Sequence, residues 1–68
     1  MTIDEIKQAG YVYHHTAARK HYTRKAERYI GTPYKGRFGT GYIVPVGRHN
    51  HSSSYEEIEY WIKPNQEN

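Results

Sequence analysis

Apolar residues are sparse along this chain and fall into short periodic clusters. Ile3 and Ile6 lie three apart ahead of Gly10, which marks one face of a short helix over residues 2–9. Thr2 suits its N-cap, Asp4 and Glu5 fall in its electropositive first turn, and Gly10 stops it. The next segment, "YVYHHT" at residues 11–16, is made of β-formers. Strict alternation there places Tyr11, Tyr13 and His15 on one face. "FGTGYIVPV", residues 38–46, reads as a strand in which Pro45 marks an edge or a bulge. "YEEIEYWI", residues 55–62, alternates with Ile58, Tyr60 and Ile62 inward, and Glu56, Glu57 and Glu59 read as a solvent-facing side. Ser54 to Glu57 also fits a helical capping box, but the segment is short, and its β-branched and aromatic content selects a strand.

The stretch from Thr16 to Ile30 carries two readings. As a helix it has Thr16 as N-cap, Gly31 at the C-terminus and Pro33 as a stop, with Ala18, Tyr22, Ala26 and Tyr29 on one face. That face holds no Leu, Met or Val, and Lys20–Arg24 and Arg24–Arg28 would be like-charge pairs four apart, each costing a few tenths of a kcal/mol. As a strand over residues 21–30 it places Tyr22, Arg24, Ala26, Arg28 and Ile30 on one side, with "AARK" as the preceding turn. A hairpin of 38–46 and 55–62 alone is marginal in water, whereas adding 11–16 and 21–30 gives a four-stranded antiparallel meander with a core. The expected fold is mainly β: a small antiparallel sheet or half-open barrel of about four strands with a short N-terminal helix. A central basic helix at 17–30 is the alternative. Residues 1–63 are expected to form one domain and 64–68 a disordered tail.

Composition narrows the picture. The chain has 68 residues, 35% of them apolar, and eight are tyrosines, so tyrosine must supply much of the core. No cysteine is present, which excludes disulfides and thiolate zinc sites. "MTIDEIKQAG" has no apolar run, so neither a signal peptide nor a membrane span is expected, and a cytoplasmic location follows as the default. The formal charge of +3 is unevenly placed: within residues 19–37, Arg19, Lys20, Arg24, Lys25, Arg28, Lys35 and Arg37 stand against Glu27 alone. That run either pairs with the acidic segment at 56–59 or leaves a basic face for a polyanion.

"KGRFGTGY", Lys35 to Tyr42, is the most motif-like segment. It is not a P-loop, because Gly41 is followed by Tyr42 rather than by Lys and Ser or Thr. Gly36-Arg37-Phe38-Gly39 spells the G-x-x-G of KH loops, but Pro33 before it and a strand-like run after it replace the flanking helices. Lys35, Gly36, Phe38, Gly39, Tyr42 and Ile43 resemble the K-G-F-G-F-[IV] strand of cold-shock and RRM proteins, in which cations hold phosphates and rings stack on bases. The insertion of Arg37 and of Thr40-Gly41 departs from that pattern, and a resemblance confined to this segment assigns no family. Read from its residues alone, the segment is a glycine-rich turn entering a strand.

Among the five histidines, His49 and His51 would share a strand face, with His14, His15 or His21 as a third ligand. "GRHNHSSS" reads instead as a polar loop without a supporting acid, so no metal site and no cofactor are expected. "HNH" here is not a nuclease signature. No nucleophile has a placed base, so no catalytic residue is assigned and the chain is not read as an enzyme. The function expected is non-catalytic binding of nucleic acid, single-stranded in preference, through Arg24, Lys25, Arg28, Tyr34, Lys35, Arg37 and Phe38. The alternative is a protein-binding module or small inhibitor, of a size and composition that suit an accessory protein of a phage or mobile element, with Tyr and Arg as interface anchors.

Overall fold

The structure, a computed structural model, describes residues 1–20, 28–48 and 55–64. Helix α1 spans Ile3–Gln8. Its capping box is complete: Thr2 Oγ1 accepts from the Glu5 amide at 3.3 Å, and Glu5 Oε1 accepts from the Thr2 amide at 2.8 Å. Six residues are too few to hold a helix in water, so packing must hold this one. Ile6, 0% exposed, packs with Val44 and Trp61, and Ile3, Tyr11, Tyr42 and Val46 border the cluster. The start of the helix is also tied to the segment ahead of the second strand. Thr2 bridges Ile30, Ile3 N donates to Tyr29 O at 3.2 Å, and Gly31 N donates to Met1 O at 2.6 Å.

Among the described residues four strands follow: β1 (Val12–Lys20), β2 (Thr32–Gly36), β3 (Gly39–Arg48) and β4 (Tyr55–Ile62). They form one open antiparallel sheet in the order β1-β4-β3-β2. The expected mainly-β class with a short N-terminal helix is therefore found, and the segments expected at 11–16, 38–46 and 55–62 share one sheet, except that Tyr11 precedes β1 and Phe38 belongs to the turn before β3. Ile58, Tyr60 and Ile62, expected inward, are buried; in β3, Val44 is buried and Ile43 half-buried.

The topology corrects the simple meander. β1 pairs with β4 rather than with the next strand, so only β2-β3-β4 runs in sequence order. "AARK" is not a turn, nor does a helix begin at Ala17: Ala17 to Lys20 continue β1, paired with Ile58 to Tyr55. Neighbouring β4 supplies the ladder that local propensity left out of account. Residues 21–27 lie outside the described residues, Arg28 and Tyr29 form a turn, and the strand before the hairpin is Thr32–Gly36. Its Pro33 is tolerated because β2 is an edge strand. Pro45 marks a bulge: the β3–β4 register shifts between Pro45 and Gly47, where Gly47 adopts φ 134°. The tail residues 65–68 are outside the described residues.

Two corrections come from β4 being a central strand. Glu56 is 3% exposed, and in register it lies between Arg19 of β1 and Arg48 of β3, so it is not on a solvent-facing side. Glu57 and Glu59 are half-buried, and Glu59 accepts a 2.9 Å hydrogen bond from Trp61 Nε1. Strand β4 thus buries Ile58, Tyr60 and Ile62 on one face and Trp61, beneath α1, on the other.

Candidate functional site

A β-bulge builds the most distinctive surface of the molecule. Tyr13 pairs with Trp61 and His15 with the adjacent Tyr60, so His14 is an extra residue in β1. Cross-strand partners share a face, and successive residues of β4 alternate. Tyr13 therefore lies on the α1 side, edge-on to Trp61 with ring centroids 5.7 Å apart, while His15 is carried to the opposite face. This overturns the expectation that Tyr11, Tyr13 and His15 share one face. Tyr11 and Tyr13 do so, and Tyr11 meets Tyr42 edge-on at 5.2 Å.

On the face away from α1, His15 stacks on Tyr60 with centroids 4.4 Å apart and planes 9° from parallel. Tyr60, 7% exposed, is the hub of this cluster. Tyr34 of β2 meets it edge-on at 5.2 Å, reaching over Gly41, its register partner on β3. Phe38 approaches it at 5.9 Å from the β2–β3 turn. Phe38 also lies 4.9 Å from His15 and 5.1 Å from His14. The Arg37 guanidinium sits 5.5 Å over the Phe38 ring, a cation–π contact worth about 0.5–1 kcal/mol at an exposed site. Gly36 and Gly39 close the turn, with Gly39 at φ 111°, so the glycines serve the hairpin as their residues suggested.

The structure thus brings together Tyr34, Arg37 and Phe38 of the expected site residues. Lys35 is exposed, but it pairs with Thr40 on the side of β2 opposite to Tyr34. Arg28 is set apart, half-buried on the segment that binds the N-terminus, and its Nε atom is buried without a hydrogen-bond partner among the described residues. Arg24 and Lys25 lie outside the described residues. His14, His15 and Tyr60 were not singled out as contact residues from sequence. The adjacent histidines drew attention only as spare metal ligands, and Tyr60 only as core. Their grouping depends on a bulge that no residue pattern announces.

His14 is exposed and His15, Tyr34 and Phe38 are half-buried, so this is a ring surface that is partly accessible and has a cationic rim. Such a surface can stack planar groups and hold anions beside them. Among the described residues no group of three or more His, Asp or Glu side chains converges as a metal cage, and His21, His49 and His51 lie outside those residues. Also among the described residues, no helix is long and apolar enough to cross a membrane. The described residues thus form a four-stranded open antiparallel sheet with one short helix on one face and a ring cluster on the face away from that helix. No protein-family model, curated protein or solved structure matches it.

Proposed function

We propose that the protein binds single-stranded nucleic acid without catalysis, using the ring cluster around Tyr60 as a stacking platform. The observation that carries this reading is the continuity of His14, His15, Phe38, Tyr60 and Tyr34 across β1, β4 and the β2–β3 hairpin, with Arg37 lying over Phe38. Bases stack on half-exposed rings, and the arginine meets the phosphates between them. Stacking tolerates sequence, because every base has a π-face. Lys35, exposed on the opposite face of the hairpin, adds charge only to a strand that wraps around the hairpin tip.

Fluorescence anisotropy with a labelled oligonucleotide at several salt concentrations tests the reading. Each phosphate neutralised on a single strand adds about −0.7 to the slope of log K against log salt, so three or four contacts give a slope of roughly −2 to −3. Lys35→Ala and Arg37→Ala each flatten that slope by about 0.7. Phe38→Leu keeps the charge and most of the volume, so it weakens binding by about fivefold or more with little change in slope. Absence of binding at low salt, where charge attraction is strongest, removes the reading and puts the protein-partner alternative first.

A further inference from the structure

The Nδ1 atoms of His14 and His15 face each other at 2.8 Å, and their ring planes are turned 74° apart. Neighbouring residues of a regular strand point to opposite faces, so such a contact requires the bulge between Tyr13 and His15. We propose that this pair is a bidentate site for a divalent transition metal of tetragonal preference, copper(II) foremost.

The spacing argues for that geometry. With metal–imidazole bonds of about 2.0 Å, two nitrogens 2.8 Å apart subtend about 90° at the metal, the cis angle of a square-planar or octahedral ion. A tetrahedral ion would need the nitrogens about 3.3 Å apart. Copper(II) also stands highest in affinity among the divalent first-row metals for nitrogen sites. The two nitrogens are already held at the chelate spacing by ring packing, His15 on Tyr60 and Phe38 against both imidazoles, and binding turns the rings so that their Nδ1 atoms point to a common ion rather than to each other. In the hydrogen-bonded pair, one ring carries its proton on Nδ1 and the other accepts with Nδ1. Binding moves that proton to Nε2 of the donor ring, so both Nδ1 lone pairs turn to the metal and no net proton need be lost. His14 is exposed, which leaves the remaining positions of the ion to water or to a further ligand.

The test is titration of the full chain with copper(II) alone, read by calorimetry and electron paramagnetic resonance, without nucleic acid. One ion should bind per chain with nitrogen hyperfine structure from two imidazoles. His14→Ala and His15→Ala should each weaken it by about tenfold or more. His49→Ala/His51→Ala should leave it unchanged. Circular dichroism establishes that the variants fold, and His14→Ala, at an exposed position, is the decisive one should His15→Ala disturb the stack. Unchanged affinity in folded His14→Ala, or loss of the site in the His49/His51 variant, overturns the proposal. Because the readout involves no oligonucleotide, it stands or falls apart from the nucleic-acid reading.

Discussion

Replacing Gly41 by alanine is expected to remove a large part of the fold's stability. Gly41 lies in the middle of the sheet, paired with Tyr34 on β2 and Ile62 on β4. The position its Cβ would take is already filled by the Trp61 carbonyl oxygen, with Trp61 C and Ile62 Cα each 2.9 Å away. All three atoms are backbone, so no rotamer change relieves the overlap, and β3 must move away from β4. Overpacking a close-fitted site costs about 1–3 kcal/mol, and a site walled by backbone belongs at the upper end. Each ladder hydrogen bond stretched by the movement adds up to about 1 kcal/mol. A total of about 3 kcal/mol compares with roughly 3–10 kcal/mol for a domain of this length. Since 1 kcal/mol shifts the melting temperature by about 4–8 °C in a small domain, the expected drop is about 12–24 °C. Thermal unfolding followed by circular dichroism measures it. Gly36→Ala is the internal comparison: its Cβ would meet only side-chain atoms, the Tyr34 hydroxyl at 2.6 Å and Cζ at 2.9 Å, so that ring can shift at the cost of its contact with Tyr60, and the loss should be smaller, about 1–2 kcal/mol. A drop of less than about 4 °C for Gly41→Ala, or a larger one for Gly36→Ala, refutes the packing argument.

Thr2→Ala removes the cap of α1 and should cost about 1 kcal/mol, visible as a lowered melting temperature. Ile6→Ala empties the position that joins α1 to the sheet and should cost about 2–5 kcal/mol in denaturant unfolding, with wild-type stability as the contrary result. Amide hydrogen exchange should be slowest in β4 and β3, which are flanked by strands on both sides; slower exchange in β1 would contradict the strand order.

The parts of this fold written in local pattern were legible. Thr2, Glu5 and Gly10 fix the helix by capping chemistry, and the alternation of Ile58, Tyr60 and Ile62 fixes the buried face of β4. The glycines of the β2–β3 hairpin likewise gave its turn. What depended on distant pairing was not legible. Whether Ala17 to Lys20 turn or extend is decided by β4, some forty residues along the chain. Glu56 is buried with Arg19 and Arg48 as its register partners on either side, a matter of tertiary pairing rather than composition. The candidate site divides in the same way. Tyr34, Arg37 and Phe38 are neighbours in sequence and were found together, whereas His15 and Tyr60 meet because one extra residue in β1 reverses the facing of its side chains.

The most direct test of the platform is to locate the bound oligonucleotide by following ring resonances in proton–carbon spectra as a short single strand is added. The largest changes should fall at Phe38, His14, His15 and Tyr34, with smaller ones at Tyr60 beneath them. Tyr11, Tyr42 and Trp61 on the α1 side should stay nearly still. Saturable changes centred on Tyr11, Tyr42 and Trp61, with the Phe38 and histidine rings unmoved, would contradict it.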